Sequence, residues 1–251
     1  MEIQGSRIVN NTISLSQNKR NLFLFNIDAV LINAAYVLTT GVFISGYIIY
    51  LNGSDILLAL LKDSVAWTHI ICLSTIFIFE KIVNRKRFLI LLNLLSRLLV
   101  CSIVVLPMIF DNKEILLCVA ACFIIISNIL WSIYNIGWTV WYLEGLTDHS
   151  RSSYIYKRNL LIRISVTVVT IGMGFVLDSL NKSYTGFLIV FCTSFLLSVI
   201  DICILLFIQD KPKKKETELN TTSVKAFFEP LVNESFRKYL LFILLFYISI
   251  T

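Results

Sequence analysis

Charge is scarce in this sequence: 15% of its 251 residues are Asp, Glu, Lys or Arg, where about 25% is usual for a soluble domain. With 57% hydrophobic residues and a mean hydropathy of +0.81, the chain cannot use water as its main solvent. The common signatures of enzyme chemistry are missing too. There is no H-E-x-x-H, no phosphate-binding loop of the G-x-x-x-x-G-K type, no G-x-S-x-G and no C-x-x-C. A membrane-embedded hydrolase would need acidic or histidine side chains clustered at one depth, and here they are scattered over separate apolar runs. We therefore expect no enzyme, no catalytic residues, no metal and no cofactor. Glycine and proline are few, at nine and three, which leaves little built-in helix flexibility. The six cysteines lie inside apolar runs and read as small buried side chains.

The net charge of +6 does not point to nucleic acid, because the basic residues form separate clusters between apolar runs rather than one basic face. The first apolar run is too long for a signal-peptide core and has no small-residue cleavage site, so no cleavage is expected.

What the sequence has in abundance is apolar runs of membrane-spanning length, about 20 residues. Six qualify: Leu22 to Tyr50, Ile56 to Phe79, Phe88 to Phe110, Ile115 to Leu143, Asn159 to Leu180 and Tyr184 to Ile208. A seventh begins at Tyr239 and breaks off at Thr251, the pattern expected of a chain cut inside a helix. Residues 1–21 then form an N-terminal arm, 22–208 the bundle and 209–238 a basic linker that includes KPKKKETE. Lys and Arg favour the cytoplasmic side. They cluster in the arm (Arg7, Lys19, Arg20), before the third run (Lys81, Arg85, Lys86, Arg87), around the fifth (Arg151, Lys157, Arg158, Arg163) and in the linker. The alternate connections, Asn52 to Asp55, Asp111 to Glu114 and Asn181 to Ser183, are short and nearly free of them. This pattern predicts six alternating spans with both ends cytoplasmic, paired as antiparallel hairpins.

At about 100° per residue, the fourth run puts Ser127, Asn128, Trp131, Tyr134, Asn135, Trp138, Trp141 and Tyr142 on one arc. Ile129, Ile133, Ile136, Val140 and Leu143 form the opposite arc. The first run divides likewise, with Asp28, Asn33, Tyr36, Thr39, Thr40, Phe43, Tyr47 and Tyr50 against Val30, Ala34, Val37, Leu38 and Ile48. On the fifth, Arg163, Thr167, Thr170, Gly174 and Asp178 align. Amides facing hydrocarbon lack partners, so the polar and aromatic arcs are expected to look inward. They give a candidate substrate cavity of Asp28, Asn33, Tyr36, Thr39, Asn128, Trp131, Tyr134, Asn135, Trp138, Thr167 and Thr170. Packing against neighbouring helices is the plainer reading of the same aromatics. Charges in a membrane cost roughly 2.5–3.5 kcal/mol each on insertion scales, which singles out Asp28, Asp63, His69, Arg97, Arg163, Asp178 and Asp201. Asp28 and Arg97 lie at comparable depth and are expected to pair. His69 either carries a coupling proton or bridges two helices.

The segments FEKIVNRKRFLIL, WYLEGLTDHSRSSYIYKRN and SFRKYLLFILL together resemble parts of the N-terminal half of the Major Facilitator Superfamily. FEKIVNRKRFLIL is similar to its loop signature between spans two and three, with Glu80, Lys81, Arg85, Lys86 and Arg87 in the charged places, although the glycine is absent and the spacing is one residue longer. WYLEGLTDHSRSSYIYKRN resembles the end of its fourth span, through Glu144, Asp148, Arg151, Tyr154 and Arg158. SFRKYLLFILL is similar to the entry into its seventh. Gly172 and Gly174 occur on the fifth run without the Gly-Pro signature of antiporters. The resemblance implies an all-α six-helix transmembrane bundle built from two three-helix repeats, in the plasma membrane. It further implies alternating-access transport of a small solute, coupled to a proton, to Na+ or to neither, and a C-terminal six-helix half as partner. The alternative left open is a non-transporting six-helix membrane protein that binds a partner helix through its aromatic face.

Overall fold

The computed structural model describes residues 2–71, 82, 84–144, 151–208 and 232–250. Among them the regular structure is helical throughout: α1 (Glu2–Leu38), α2 (Gly41–Tyr50), α3 (Asp55–Ile71), α4 (Arg85–Ser102), a 3₁₀ segment (Ile103–Met108), α5 (Lys113–Glu144), α6 (Arg151–Ser179), α7 (Tyr184–Phe207) and α8 (Glu234–Ile250). Five stretches are long and apolar enough to cross a membrane, namely Arg20–Tyr50, Arg85–Met108, Lys113–Leu143, Ser152–Ser179 and Tyr184–Phe207. The shortest have 24 residues and, at about 1.5 Å per residue, exceed a hydrocarbon core of roughly 30 Å. These lengths mark a multi-pass membrane protein. The second expected span is represented by α3, and its continuation from residue 72 lies outside the described residues.

The chain divides into two compact units, residues 1–210 and 211–251. In the second, α8 is a 17-residue helix. Its start is capped by Asn233, whose Oδ1 accepts the Ser235 N–H at 3.0 Å. In the first, α1 packs against α6 and α7, α4 against α5 and α7, and α3 against α5.

Helix bounds depart from the hydropathy pattern in informative places. Helix α1 begins at Glu2, so the expected polar arm is helical and continuous with the first span. Helix α6 likewise begins at Arg151, well before the apolar run at Asn159. The first span is broken in its interior. Helix α1 stops at Leu38, and Gly41 takes a φ of +52° before α2 resumes. A break inside a membrane frees carbonyls that must find donors, and hydroxyls supply them. Thr39 Oγ1 and Thr40 Oγ1 donate to the Tyr36 carbonyl at 3.1 and 2.8 Å, and Ser194 Oγ of α7 donates to Ala35 at 2.7 Å. The third span also loosens at its end, where Pro107 sits in the 3₁₀ segment. Tyr47 and Tyr184 donate their hydroxyls to the carbonyls of Ile103 and Val104 there, at 3.3 and 2.8 Å.

The interior is stratified. One apolar cluster gathers Leu38, Phe43, Tyr47, Val104, Phe187 and Phe191, and another Leu22, Phe25, Trp131, Trp138, Tyr142 and Leu205. Along α4 and α7 the buried polar residues fall between them: Asn93, Ser96 and Arg97 on the former, Ser194, Ser198 and Asp201 on the latter. Helix α1 is covered on more than one side, which corrects the expectation that its Ala34 and Leu38 face lipid; Ile48 on α2, expected to do the same, is buried as well. Two neighbours, α6 and α7, pack on α1, so it has no wide lipid-facing stripe.

Candidate functional site

The polar layer is built by residues spaced three or four apart on α4, which places them on one helix face. Arg97 is 2% exposed. Its guanidinium carbon lies 4.2 Å from the centroid of the Trp131 ring and 5.3 Å from that of Tyr36, and these two rings stack at 4.6 Å. Its Nη1 donates to Thr39 Oγ1 at 3.0 Å, at the end of α1. The negative end of a helix and the faces of two aromatic rings are both favourable to a cation. The remaining edge of the guanidinium, Nε and Nη2, is buried without a hydrogen-bond partner.

The expected pairing of Asp28 with Arg97 does not form. Neither Asp28 oxygen accepts a hydrogen bond, and Arg97 spends its bonded nitrogen on Thr39. The Asp28 carboxyl instead lies against that of Asp201 on α7, and both residues are 0% exposed. Helix α1 packs along α7 and α6, and Asp28 accordingly meets the second carboxyl on α7 rather than Arg97 on α4. Asn93, one turn before Arg97, donates its Nδ2 to Asp201 Oδ2 at 2.9 Å. The Trp138 indole N–H faces Asp28 and the Tyr134 hydroxyl is buried near both acids, but neither reaches them in hydrogen-bonding geometry. Arg158 lies over the rings of Trp138 and Tyr142, at 4.2 and 5.1 Å from their centroids, and is the cation whose field reaches Asp28.

Of the expected cavity residues, Asp28, Tyr36, Thr39, Trp131, Tyr134 and Trp138 meet in this layer. Asn128 is buried too, but it acts as a staple, donating to Ser64 Oγ of α3 at 2.8 Å. Ser132 meets Thr68 at 3.0 Å one turn later. Asn135, one turn beyond that contact, is exposed. Asn33 returns its amide to the Ala29 carbonyl at 2.7 Å. Thr167 is exposed and bonds the Arg163 carbonyl of its own helix at 2.9 Å, and Thr170 is half-buried. Arg163 and Asp63 are exposed, and Asp178 makes an exposed pair with Lys182 at 3.6 Å. The α6 positions are not brought into the layer, because α6 meets the bundle mainly along α1 and leaves most of its circumference outside.

Among the loop-motif residues, Lys86 donates to the carbonyls of Leu206 and Ile208 at 2.8 and 2.7 Å and so caps the end of α7. Arg87 is exposed. Glu80, Lys81 and Asp148 lie outside the described residues, as do the side chains of His69, Glu144 and Arg151. Ser127 was on the inward arc, whereas Asn93, Ser96 and Ser132 and the serines of α7 were not expected. The four-residue spacing of Asn93 and Arg97 in an apolar run is the signal that could have found the first of them.

Chemically the layer offers two carboxyls in contact, two cations held on aromatic faces, and amide, phenol and indole groups with hydrogen-bonding capacity to spare. No family model, curated protein or solved structure matches this chain.

Proposed function

We propose that the protein moves a small solute across the bilayer by alternating access, through conformations that open the polar layer to one side at a time. The observation that carries this reading is a set of buried charges without contact ion pairs: Asp28, Arg97 and Asp201. Each charge is expensive at this depth, and such residues generally mark a solute or ion pathway. The interruption of the first span beside Arg97 supports the same reading, since broken helices with freed backbone ends recur at transporter binding sites. The resemblance to the Major Facilitator Superfamily supplies the form of the cycle, six-helix bundles rocking about a midplane site in the plasma membrane. The burial of Trp131, Trp138 and Trp141 favours this reading over the alternative of a partner bound through the aromatic face.

The test is uptake into vesicles containing the reconstituted protein, over a panel of neutral, cationic and anionic solutes. Saturable uptake of one class is expected, lost at least tenfold in Asp28→Asn and Trp131→Leu and retained in Asn135→Ala. Uptake unchanged in both buried variants would remove the layer from the pathway.

A further inference from the structure

We propose that the contact between Asp28 on α1 and Asp201 on α7 is a single-proton site, in which Asp28 carries the proton and donates it to the carboxylate of Asp201. Both residues are 0% exposed. Two carboxylates in contact, out of water, cannot both stay charged, and one proton between them turns repulsion into a strong hydrogen bond.

The surroundings say how many protons are held and on which residue. The fully buried charges of the layer are Asp28, Asp201 and Arg97. Ionised together they carry one negative charge too many, and a single proton makes the set neutral. Asp201 is the better carboxylate: it accepts the Asn93 amide at 2.9 Å and is the acid whose field Arg97 feels. Asp28 has no donor in hydrogen-bonding geometry on either oxygen. Its facing groups are Asp201 from α7, the Trp138 indole and Tyr134 hydroxyl from α5, and Arg158 from α6. Arg158 is engaged over the Trp138 and Tyr142 rings rather than paired with the acid. Asn93 and Arg97 complete the set from α4, on the Asp201 side. A sodium ion would meet the same oxygens, but it would have to push apart carboxyls that already touch, and a proton does not.

The site lies across the interface between the first and last spans of the bundle. Removing the proton places two like charges there, so proton loss would loosen α1 from α7. The proton site does not depend on transport. The proton is read with no solute present, so failure here leaves the transport reading standing, and failure of transport leaves this site standing.

The experiment is infrared spectroscopy of the purified protein in lipid nanodiscs at neutral pH, exchanged between light and heavy water. The expected result is the carbonyl stretch of a protonated carboxyl that shifts on deuteration. It should be lost in Asp28→Asn, kept in Asp55→Asn at the exposed start of α3, and enlarged in Arg97→Met, where Asp201 loses its balancing cation. A folded wild type without the band, or Asp28→Asn with the full band, overturns the proposal. A band that appears only when sodium is withdrawn overturns it in favour of a sodium site. Should Asp28→Asn fail to fold, wild type decides: the band must titrate away at alkaline pH together with a change in tryptophan emission that Trp138→Phe abolishes. Band loss without that emission change overturns the assignment to Asp28.

Discussion

Replacing Arg97 by Met keeps an unbranched apolar stem and removes the charge that Trp131, Tyr36 and Thr39 hold in place. Cation–π contacts of a desolvated guanidinium contribute about 2 kcal/mol, and the charged hydrogen bond to Thr39 adds about 1.5–3 kcal/mol. Arg97→Met is therefore expected to lose several kcal/mol in a denaturant titration of the detergent-solubilised protein. Arg97→Lys should fall between the two, because an ammonium keeps the charge but cannot lie flat on the rings. Equal stability of wild type and Arg97→Met would show that the stack contributes nothing. The residues of this layer were unevenly legible in the sequence. Tyr36, Trp131 and Arg97 could be read from composition and depth, since aromatic and charged side chains stand out in an apolar run. The partner of Asp28 could not, because depth along the chain says how far into the membrane a residue sits and not which neighbouring helix it faces.

Helices α4 and α5 are joined by a reciprocal pair. Ser96 Oγ donates to the Ser127 carbonyl at 3.0 Å, Ser127 Oγ donates to the Ser96 carbonyl at 2.9 Å, and the two hydroxyls are 3.1 Å apart. Small hydroxyl residues let two backbones approach and then bond across the gap. Ser96→Ala and Ser127→Ala are each expected to cost about 1 kcal/mol, and the double variant less than the sum, since each serine serves the other. Strict additivity in a double-mutant cycle would mean that the serines act separately. At the break in the first span, an added Cβ on Gly41 would meet no atom within 4 Å, so only the backbone opposes a side chain there. Gly41→Ala is expected to cost about 1–2 kcal/mol, the penalty of a left-handed φ for an L-residue. The α6–α7 hairpin uses its glycine differently: a Cβ on Gly186 would come within 2.9 Å of Leu177 Cδ1. Neither the break nor the buried face of Ala34, Leu38 and Ile48 was legible in the sequence. Threonine and glycine are ordinary in membrane helices, and aliphatic side chains look the same whether lipid or protein covers them.

For the molecule as a whole, hydropathy was the legible quantity, because chain length and the absence of water inside a bilayer leave helices as the solution for long apolar runs. Orientation is a separate matter, set by where the cations sit rather than by how the helices pack. Basic clusters at Arg85 to Arg87 and Arg151 to Arg163 begin α4 and α6, and the connection around Asp111 follows the other end of the third span. The native thiols bear on how this can be read. Cys118, Cys122, Cys192 and Cys203 are exposed on apolar helices, so in a membrane they face lipid, and Cys101 is buried. A charged maleimide that cannot cross the bilayer should therefore leave these five unlabelled in intact cells. Against that background, Asp111→Cys is expected to label from outside. Arg87→Cys, exposed at the start of α4, should label only after the cells are permeabilised. The reverse pattern would invert the topology, with α4 entering the membrane from the outer face. Labelling of both positions in intact cells would mean that the third span does not cross at all, and the buried layer at Arg97 would then lie outside the membrane.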